Sequence, residues 1–440
     1  WTYAHVQGLE SAQQALGYVH LTNRFDQTPG MVAPELRALA PRNRLVIGNT
    51  VDYVADFKSV ASEFPSTNFL CVDDGVSTAD SANFTTYWVH RTQAWYVAGQ
   101  IAAQWTRTRF PAPDAAVPMP AWRLGVISAF VNPETVAAVN AFTLGARSVD
   151  PRFVVEVRHV GFWFDGFDGR PAHYTYVHKK DMKQEPRTYF REEYLAALMV
   201  DSGCKVIAHL TNTQRSVRLI DKLVQEKLAP TEVVSLANDN RDGCQDNTLK
   251  RRLGTCLGSI YESWSSLYKD LFERVHYNVF DPRAGIDYDM SEGDGSATGM
   301  WLNPDYQGGA IDKVTASAVH ASFVRGADGQ LRRRVFRGPY RINGQRDADQ
   351  DGVPDPPEMQ QLAGNSFVDP AEIAKMCWYV EGVVEKKNLK EAIGDDTPAL
   401  VPGGLVPGSR EKNVLVEPAD AKDYAIPTNL NWKCRANVFN

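Results

Sequence analysis

Residues 124–165 constrain the fold most, because they read as strand, tight loop, helix and second strand in one continuous stretch. Leu124-Gly-Val-Ile-Ser-Ala-Phe130 is an apolar run of strand length, and Asn132-Pro133-Glu134 supplies an N-cap, a first-turn proline and a first-turn acid. Val136, Val139, Thr143, Ala146 and Val149 recur at helical spacing until Asp150-Pro151 stops the pattern. Residues 153–160 then alternate as a half-buried strand, which completes a βαβ unit. A right-handed crossover in a parallel sheet brings Phe130 and the cluster Phe162-Trp163-Phe164-Asp165 to one carboxyl edge, where open α/β sheets take their ligands.

The same alternation runs through the rest of the chain. Residues 10–16, 35–39, 51–64 and 87–107 have helical patterns, and residues 18–22, 44–48 and 68–72 read as strands. Past the βαβ unit come strands at 205–209 and 233–236 around a helix at 217–227, then a returning strand at 256–260 and a helix at 264–276. The pattern predicts an α/β protein of two doubly wound parallel-sheet lobes with a ligand cleft between them. Residues 1–123 and 253–290 would form lobe 1, and residues 124–252 and 291–386 lobe 2. Residues 387–440, with their Pro-Gly clusters, suit an extended tail.

Residues 130–165 resemble the signature segment of the basic membrane protein family, the purine-nucleoside-receptor-like substrate-binding lipoproteins of ABC importers. Trp1-Thr-Tyr-Ala-His5, Tyr96-Val-Ala-Gly99, Val206-Ile-Ala-His209, Phe336-Arg-Gly-Pro339 and Trp378-Tyr-Val-Glu-Gly-Val383 are similar to further family blocks and keep the family's order. The resemblance covers roughly residues 1–386 and implies a type I periplasmic binding protein fold, in which hinge closure traps the ligand. It also implies an exported protein at the periplasm or cell surface, an ABC transporter permease as partner, and anchoring through a lipidated amino-terminal segment that this sequence does not contain. The family places a strand and a loop ahead of the Trp-x-Tyr-x-His block, whereas this sequence opens on Trp1.

Bulk properties are compatible with that reading. With 47 Lys and Arg against 53 Asp and Glu the formal charge is −6, so no overall basic field attracts nucleic acid or anionic lipid. No window reaches the ~18 continuous apolar residues of a membrane span. Of six cysteines, Cys71 and Cys204 sit in or beside apolar strand runs and suit buried thiols. Cys244 and Cys256 flank a polar loop and suit a local disulfide, and Cys377 with Cys434 would tie the tail to the body.

Candidate ligand contacts are the residues leaving the carboxyl ends of the strands. Lobe 2 offers Phe130, Asn132, Trp163, Asn212, Asn238 and Asp239; lobe 1 offers Trp1, Tyr3, Asn49 and Tyr53, with Trp264 near a crossover. Aromatic faces and amide side chains suit a flat, uncharged purine with a mixed donor and acceptor edge. The resemblance puts Trp163 at the family's stacking position, and Asn212 where an aspartate commonly contacts ribose hydroxyls, so a nucleoside and a free base both remain open. Competing roles are an exported structural or surface-assembly protein with no ligand, and a nucleoside hydrolase using Asp165 and Asp239. No GxSxG, Walker, HExxH or post-strand GxGxxG pattern occurs, so the chain is expected not to be an enzyme.

A second local signal is the run from Asp347 to Glu358. Asp347, Asp349, Asp351, Asp355 and Glu358 fall at positions 1, 3, 5, 9 and 12 of a calcium loop, with Gly352 at the turn and Val353 offering a backbone carbonyl. The spacing predicts a structural calcium ion. His173 and His178 have no partner at ligand spacing and do not predict zinc, and residues 169–191 read as a polar insertion. The tail offers a route to self-assembly.

Overall fold

The structure, a computed structural model, describes residues 1–25, 30–72, 82–89, 91–111, 122–129, 132–160, 163, 173–230, 232–246, 248, 250–282, 286–288, 298–303, 323–325, 331–333, 340–343, 361–362, 376 and 379–385. Phe130, Asp165, the acidic loop 347–358, Cys377, Cys434 and the tail 387–440 lie outside the described residues. The chain divides into two units, residues 1–93 with 262–299 and residues 94–261 with 300–440, so it passes from one to the other at 93/94, 261/262 and 299/300.

The chain opens on helix α1 (Thr2–Leu16), whose buried Ala4, His5, Gly8 and Ala12 recur about every turn and make one apolar stripe. Helix α2 (Ala33–Leu39), strand β1 (Leu45–Gly48), helix α3 (Val54–Ala61) and strands β2 (Asn68–Val72) and β3 (Phe84–Val89) follow. Period-two alternation settles the faces of β1: Leu45 and Ile47 turn to the cluster around α1, and Val46 turns to Phe57, Phe69 and Phe84 beside α2 and α3.

The second unit starts within helix α4 (Thr92–Arg109) and holds β4 (Arg123–Ser128), α5 (Pro133–Val149), β5 (Val154–His159), the hairpin β6 (His173–Tyr176) and β7 (Arg187–Phe190), and α6 (Arg191–Asp201). Then come β8 (Val206–Leu210), α7 (Arg215–Gln225), β9 (Val234–Ala237), the short pair β10 (Gln245–Asp246) and β11 (Arg251–Arg252), and β12 (Cys256–Glu262). Helix α8 (Trp264–His276) returns to the first unit, burying Trp264, Leu267, Tyr268, Leu271, Phe272 and Val275 at helical spacing, and packs on α1. Strand β13 (Ile286–Tyr288) runs parallel to β3, giving the order β1-β2-β3-β13.

Strand β14 (Thr298–Leu302) rejoins the second unit. Small pieces follow: β15 (Phe323–Arg325) with β16 (Leu331–Arg333), then β17 (Tyr340–Asn343) between β18 (Gln361–Leu362) and β19 (Tyr379–Val380), and β20 (Val383–Glu385). The main sheet has the order β14-β12-β9-β8-β4-β5-β20, and β12, β9, β8, β4, β5 and β20 are parallel neighbours. The chain leaves β4 toward β5 and later returns to place β8 on the other side, so the switch point of the topology lies between β4 and β8.

Several sequence expectations change. Residues 18–22 form no strand: β1 pairs with β2 alone among the described residues, so the preceding segment has no ladder to join, and Val19 and Leu21 cover the α1 cluster instead. The expected helix at 87–107 begins at Thr92, because the aromatic and β-branched run Phe84-Thr-Thr-Tyr-Trp-Val89 is a strand held by β2 and β13. The lobe boundary expected at 123/124 falls at 93/94, since α4 packs against α5, where Gly99 and Gly145 bring the two backbones together. The boundary expected at 252/253 falls at 261/262, because β12 is paired to β9, and the one expected at 290/291 falls at 299/300.

The stretch read as a polar insertion is a packed hairpin. Tyr174, Tyr176 and Tyr189 are buried, and His178 Nε2 meets the Tyr189 hydroxyl at 2.7 Å while Tyr176 donates to Asp201 at 2.7 Å. Cys71 and Cys204 are buried thiols outside any disulfide among the described residues, and Cys244 and Cys256 form a disulfide. That bridge closes a 12-residue separation. Replacing both cysteines with alanine is expected to cost about 3 kcal/mol by the loop-entropy relation, measured as a lower urea midpoint.

Candidate ligand-binding site

The switch point in the second unit collects most of that unit's candidate residues. Asn132 follows β4 as the N-cap of α5: its Oδ1 accepts from Thr135 N at 2.8 Å, and Thr135 Oγ1 accepts from Asn132 N at 3.1 Å. The capping bond identifies which end of the amide is oxygen, and so fixes Nδ2 on the other side. That Nδ2 is buried with no acceptor among the described residues, in a side chain 1% exposed. Ser128, the last residue of β4, is also buried and its Oγ has no partner among them.

Asn238 and Asp239 leave β9 in the same way. Asn238 Nδ2 donates to Asp239 Oδ1 at 2.6 Å, which leaves Asn238 Oδ1 as an acceptor, buried and with no donor among the described residues. Asp239 holds the left-handed conformation at φ 67, an uncommon state for a non-glycine residue that turns the chain sharply at the strand tip. Between these two positions lies β8, with its tip at Thr211 and Asn212. Asn212 N donates to Trp163 O at 2.8 Å, which joins the tips of β8 and β5, and both residues are half-buried.

Two further polar residues serve this edge and were not singled out in the sequence. His209, next to the end of β8, is 1% exposed; burial brings its imidazole down to about 4, with the charge of Asp239 opposing the shift, so the ring is neutral at pH 7. Glu192 is fully buried in the first turn of α6 and accepts from Thr213 Oγ1 at 2.5 Å, Ser216 N at 3.0 Å and Ser216 Oγ at 2.9 Å. Its carboxyl is raised above the ordinary range by burial, with those hydrogen bonds opposing. The available signal was the acidic pair Glu192-Glu193 opening a helix, where Glu193 accepts from Phe190 N at 3.0 Å.

In the first unit, Trp1, Asn49 and Trp264 come together. Trp1 Nε1 donates to Asn49 O at 2.6 Å, and its ring meets Trp264 edge-on at 5.2 Å. His5 stacks on Trp264 at 3.8 Å and bonds Tyr268 through Nδ1, and burial holds its imidazole well below its usual value. Trp264 is 2% exposed and is a core residue of α8. Tyr53 packs with Val32, Leu36 and Phe57, and Tyr3 is exposed on α1 with Gln7 as its bond partner; neither joins the Trp1 group. Arg91 lies 5.6 Å from the Trp1 ring and pairs with Glu262 at 3.3 Å.

Parallel sheets with helical crossovers and a switch point define an α/β fold of the type I periplasmic binding protein kind. Solved structures agree: a transcriptional activator of the comK gene from Bacillus halodurans (TM-score 0.52, 14% identity) covers 73% of this chain and 92% of its own. ABC transporter system solute-binding proteins from Aeropyrum pernix K1 (TM-score 0.50, 13% identity) cover 72% and 80%. Residues 1–180 match the Bmp family, described as ABC transporter substrate-binding protein PnrA-like, so the resemblance to the basic membrane protein family is borne out over that stretch.

Among curated relatives, a purine-binding protein of Brucella abortus (strain 2308) is 32% identical over 62% of this chain and 64% of its own length. A putative ABC transporter glucose-binding protein of Haloferax volcanii is 24% identical over 50% of this chain and 46% of its own. The chain thus matches about two thirds and about half of these relatives' lengths. No helix among the described residues is long and apolar enough to cross a membrane.

Proposed function

We propose that this chain is the exported receptor of an ABC importer and that its ligand is a purine nucleoside or free purine base. The observation that carries the reading is the pair of buried amides beside the switch point, each oriented by a bond at one end. Asn132 presents a donor and Asn238 an acceptor. Their strands β4 and β9 are separated by β8, hence by about 10 Å, a span that a bicyclic heterocycle with a hydrogen bond at each end matches. The indole of Trp163 adds a flat apolar partner near the tip of β5, and stacking on a base contributes about 0.5–1.5 kcal/mol beyond area burial. The 32% identity to a protein named for purine binding supports the same class.

Isothermal titration with adenosine, guanosine, inosine, adenine, guanine and glucose tests the proposal. A purine should bind with heat that saturates at one equivalent, and glucose should not. Asn132→Asp keeps the helix cap but replaces the free donor with an acceptor, so purine affinity is expected to fall about 10–100-fold at unchanged melting temperature. Binding of glucose alone, or an Asn132→Asp protein that binds as the parent does, would overturn the reading.

The acidic loop forms a separate part of the proposal. Asp347, Asp349, Asp351, Asp355 and Glu358, with the Val353 carbonyl, are proposed to hold one structural calcium ion with Kd of about 10⁻⁴–10⁻³ M. Protein stripped with chelator and dialysed against millimolar calcium should retain one equivalent and melt higher than in magnesium. Asp349→Ala should lose both effects.

A further inference from the structure

The two opening residues of α6 touch the chain where it leaves β5 and where it leaves β8. Arg191 Nη1 donates to Val160 O at 2.8 Å, at the end of β5, and its Nε donates to the Tyr174 hydroxyl at 2.6 Å. Glu192 reaches the other loop, where its two carboxylate oxygens take the Thr213 hydroxyl, the Ser216 hydroxyl and the Ser216 backbone N–H. Asn212 lies between the loops, its own N–H bonded to Trp163 O. Helix α7 has no side-chain cap of its own at Gln214, so the buried carboxylate of Glu192 supplies the acceptor that a Ser or Asp N-cap would otherwise provide.

We infer that Glu192 is a positioning residue for ligand capture: it holds the loop of residues 211–216 in the geometry that presents Asn212 and locks it to Trp163. The inference rests on the receptor reading for its consequence on affinity, but the loop geometry is measurable without any ligand. Glu192 is 0% exposed, so it acts through Asn212 and not by contact with the ligand. An acceptor is required at this position because the Ser216 N–H can only donate, and the Ser216 and Thr213 hydroxyls turn their hydrogens to the same carboxylate. Glutamine of the same shape can keep its oxygen on Ser216 and donate its NH2 to the Thr213 hydroxyl, whereas leucine of similar size leaves the Ser216 N–H without its acceptor.

The test uses the full chain and the variant Glu192→Leu, with Thr213→Val as a milder second variant that removes one of the donors. Backbone hydrogen exchange of residues 211–216, including the Asn212 N–H, is read together with titration of the five purines. Exchange in this segment should rise at least tenfold in Glu192→Leu and less in Thr213→Val, while exchange in β4, β8 and β9 stays as in the parent. Affinity for the bound purine should fall about tenfold, and Glu192→Leu should add no further loss in an Asn212→Ala background.

Unchanged exchange in the segment, or the same loss of affinity in the Asn212→Ala background, overturns the positioning role. If no purine binds the parent protein, the receptor reading fails while the exchange result still decides the loop anchor. Faster exchange restricted to residues 211–216 supports it, and unchanged or molecule-wide faster exchange sinks it.

Discussion

Gly145→Val is expected to lower the stability of the second unit by about 3 kcal/mol or more, measured as urea midpoint and melting temperature. A Cβ at Gly145 would stand 1.9 Å from Tyr96 O and 2.8 Å from Tyr96 C, and one at Gly99 would stand 2.0 Å from Phe142 O. These neighbours are backbone atoms of the facing helix, so no side-chain rotation relieves the overlap. Relief requires α4 and α5 to separate, which loosens the buried packing of Trp95 against Phe142. Overpacking usually costs about 1–3 kcal/mol, and the backbone origin of this clash puts it at the upper end. Gly145→Ala should lie between parent and valine variant, whereas Ser148→Ala, exposed on the same helix, should change stability by less than about 0.5–1 kcal/mol. A valine variant within about 1 kcal/mol of the parent would show that the crossing is not tight.

Breaking the ion pair of the first unit should have an effect of similar size. Arg91 and Glu262 side chains are 4% and 1% exposed, and their closest atoms are 3.3 Å apart. The guanidinium does not lose its proton, so Glu262→Ala takes this carboxylate away from a buried positive charge beside Trp1 and His5. Such a change is expected to cost about 3–5 kcal/mol, and added salt should do little to alter it because the pair is shielded from solvent. The informative control is Arg91→Met with Glu262→Leu. Removing both charges is expected to recover most of the loss, since the penalty comes from the buried charge left behind more than from the missing attraction. If the double variant is as unstable as Glu262→Ala, the pair's contribution is shape and not charge.

Local chemistry was legible in this chain, and long-range pairing was not. Asn132, Pro133 and Glu134 announced the start of α5 because capping is settled within four residues, and the apolar spacing of α8 marked its span. Residues 84–89 carry the β-branched and aromatic residues of a strand, yet they adjoin a long helix, and only pairing with β2 and β13 separates the two. Residues 18–22 have strand composition but no neighbour among the described residues. Helix α6 escaped notice because Arg191, Glu192 and Tyr194 are buried there, which blurs the polar face that periodicity relies on.

For the site, residues that follow strands could be named from the sequence, as Asn132, Trp163, Asn212, Asn238 and Asp239 show. The same rule placed Trp264, Tyr53 and Tyr3 among the contacts, whereas the first two are packed into the first unit and the third is exposed on α1. A ring's position in the sequence does not say which way it turns. Glu192 and His209 were missed for the complementary reason: a buried carboxylate or imidazole draws its meaning from partners on other elements.

The pairing of α1 with α8 has a consequence for how the protein is made. The stripe of Ala4, His5, Gly8 and Ala12 leaves the ribosome before the helix that covers it, Trp264–His276, which is synthesised some 250 residues later, roughly ten to fifty seconds at ordinary elongation rates. Over that interval the whole second stretch, residues 94–261, is produced and can begin to fold. The nascent first unit must therefore wait with an oily face uncovered, the condition under which chaperone holding or slowed translation most changes the yield of correctly folded protein.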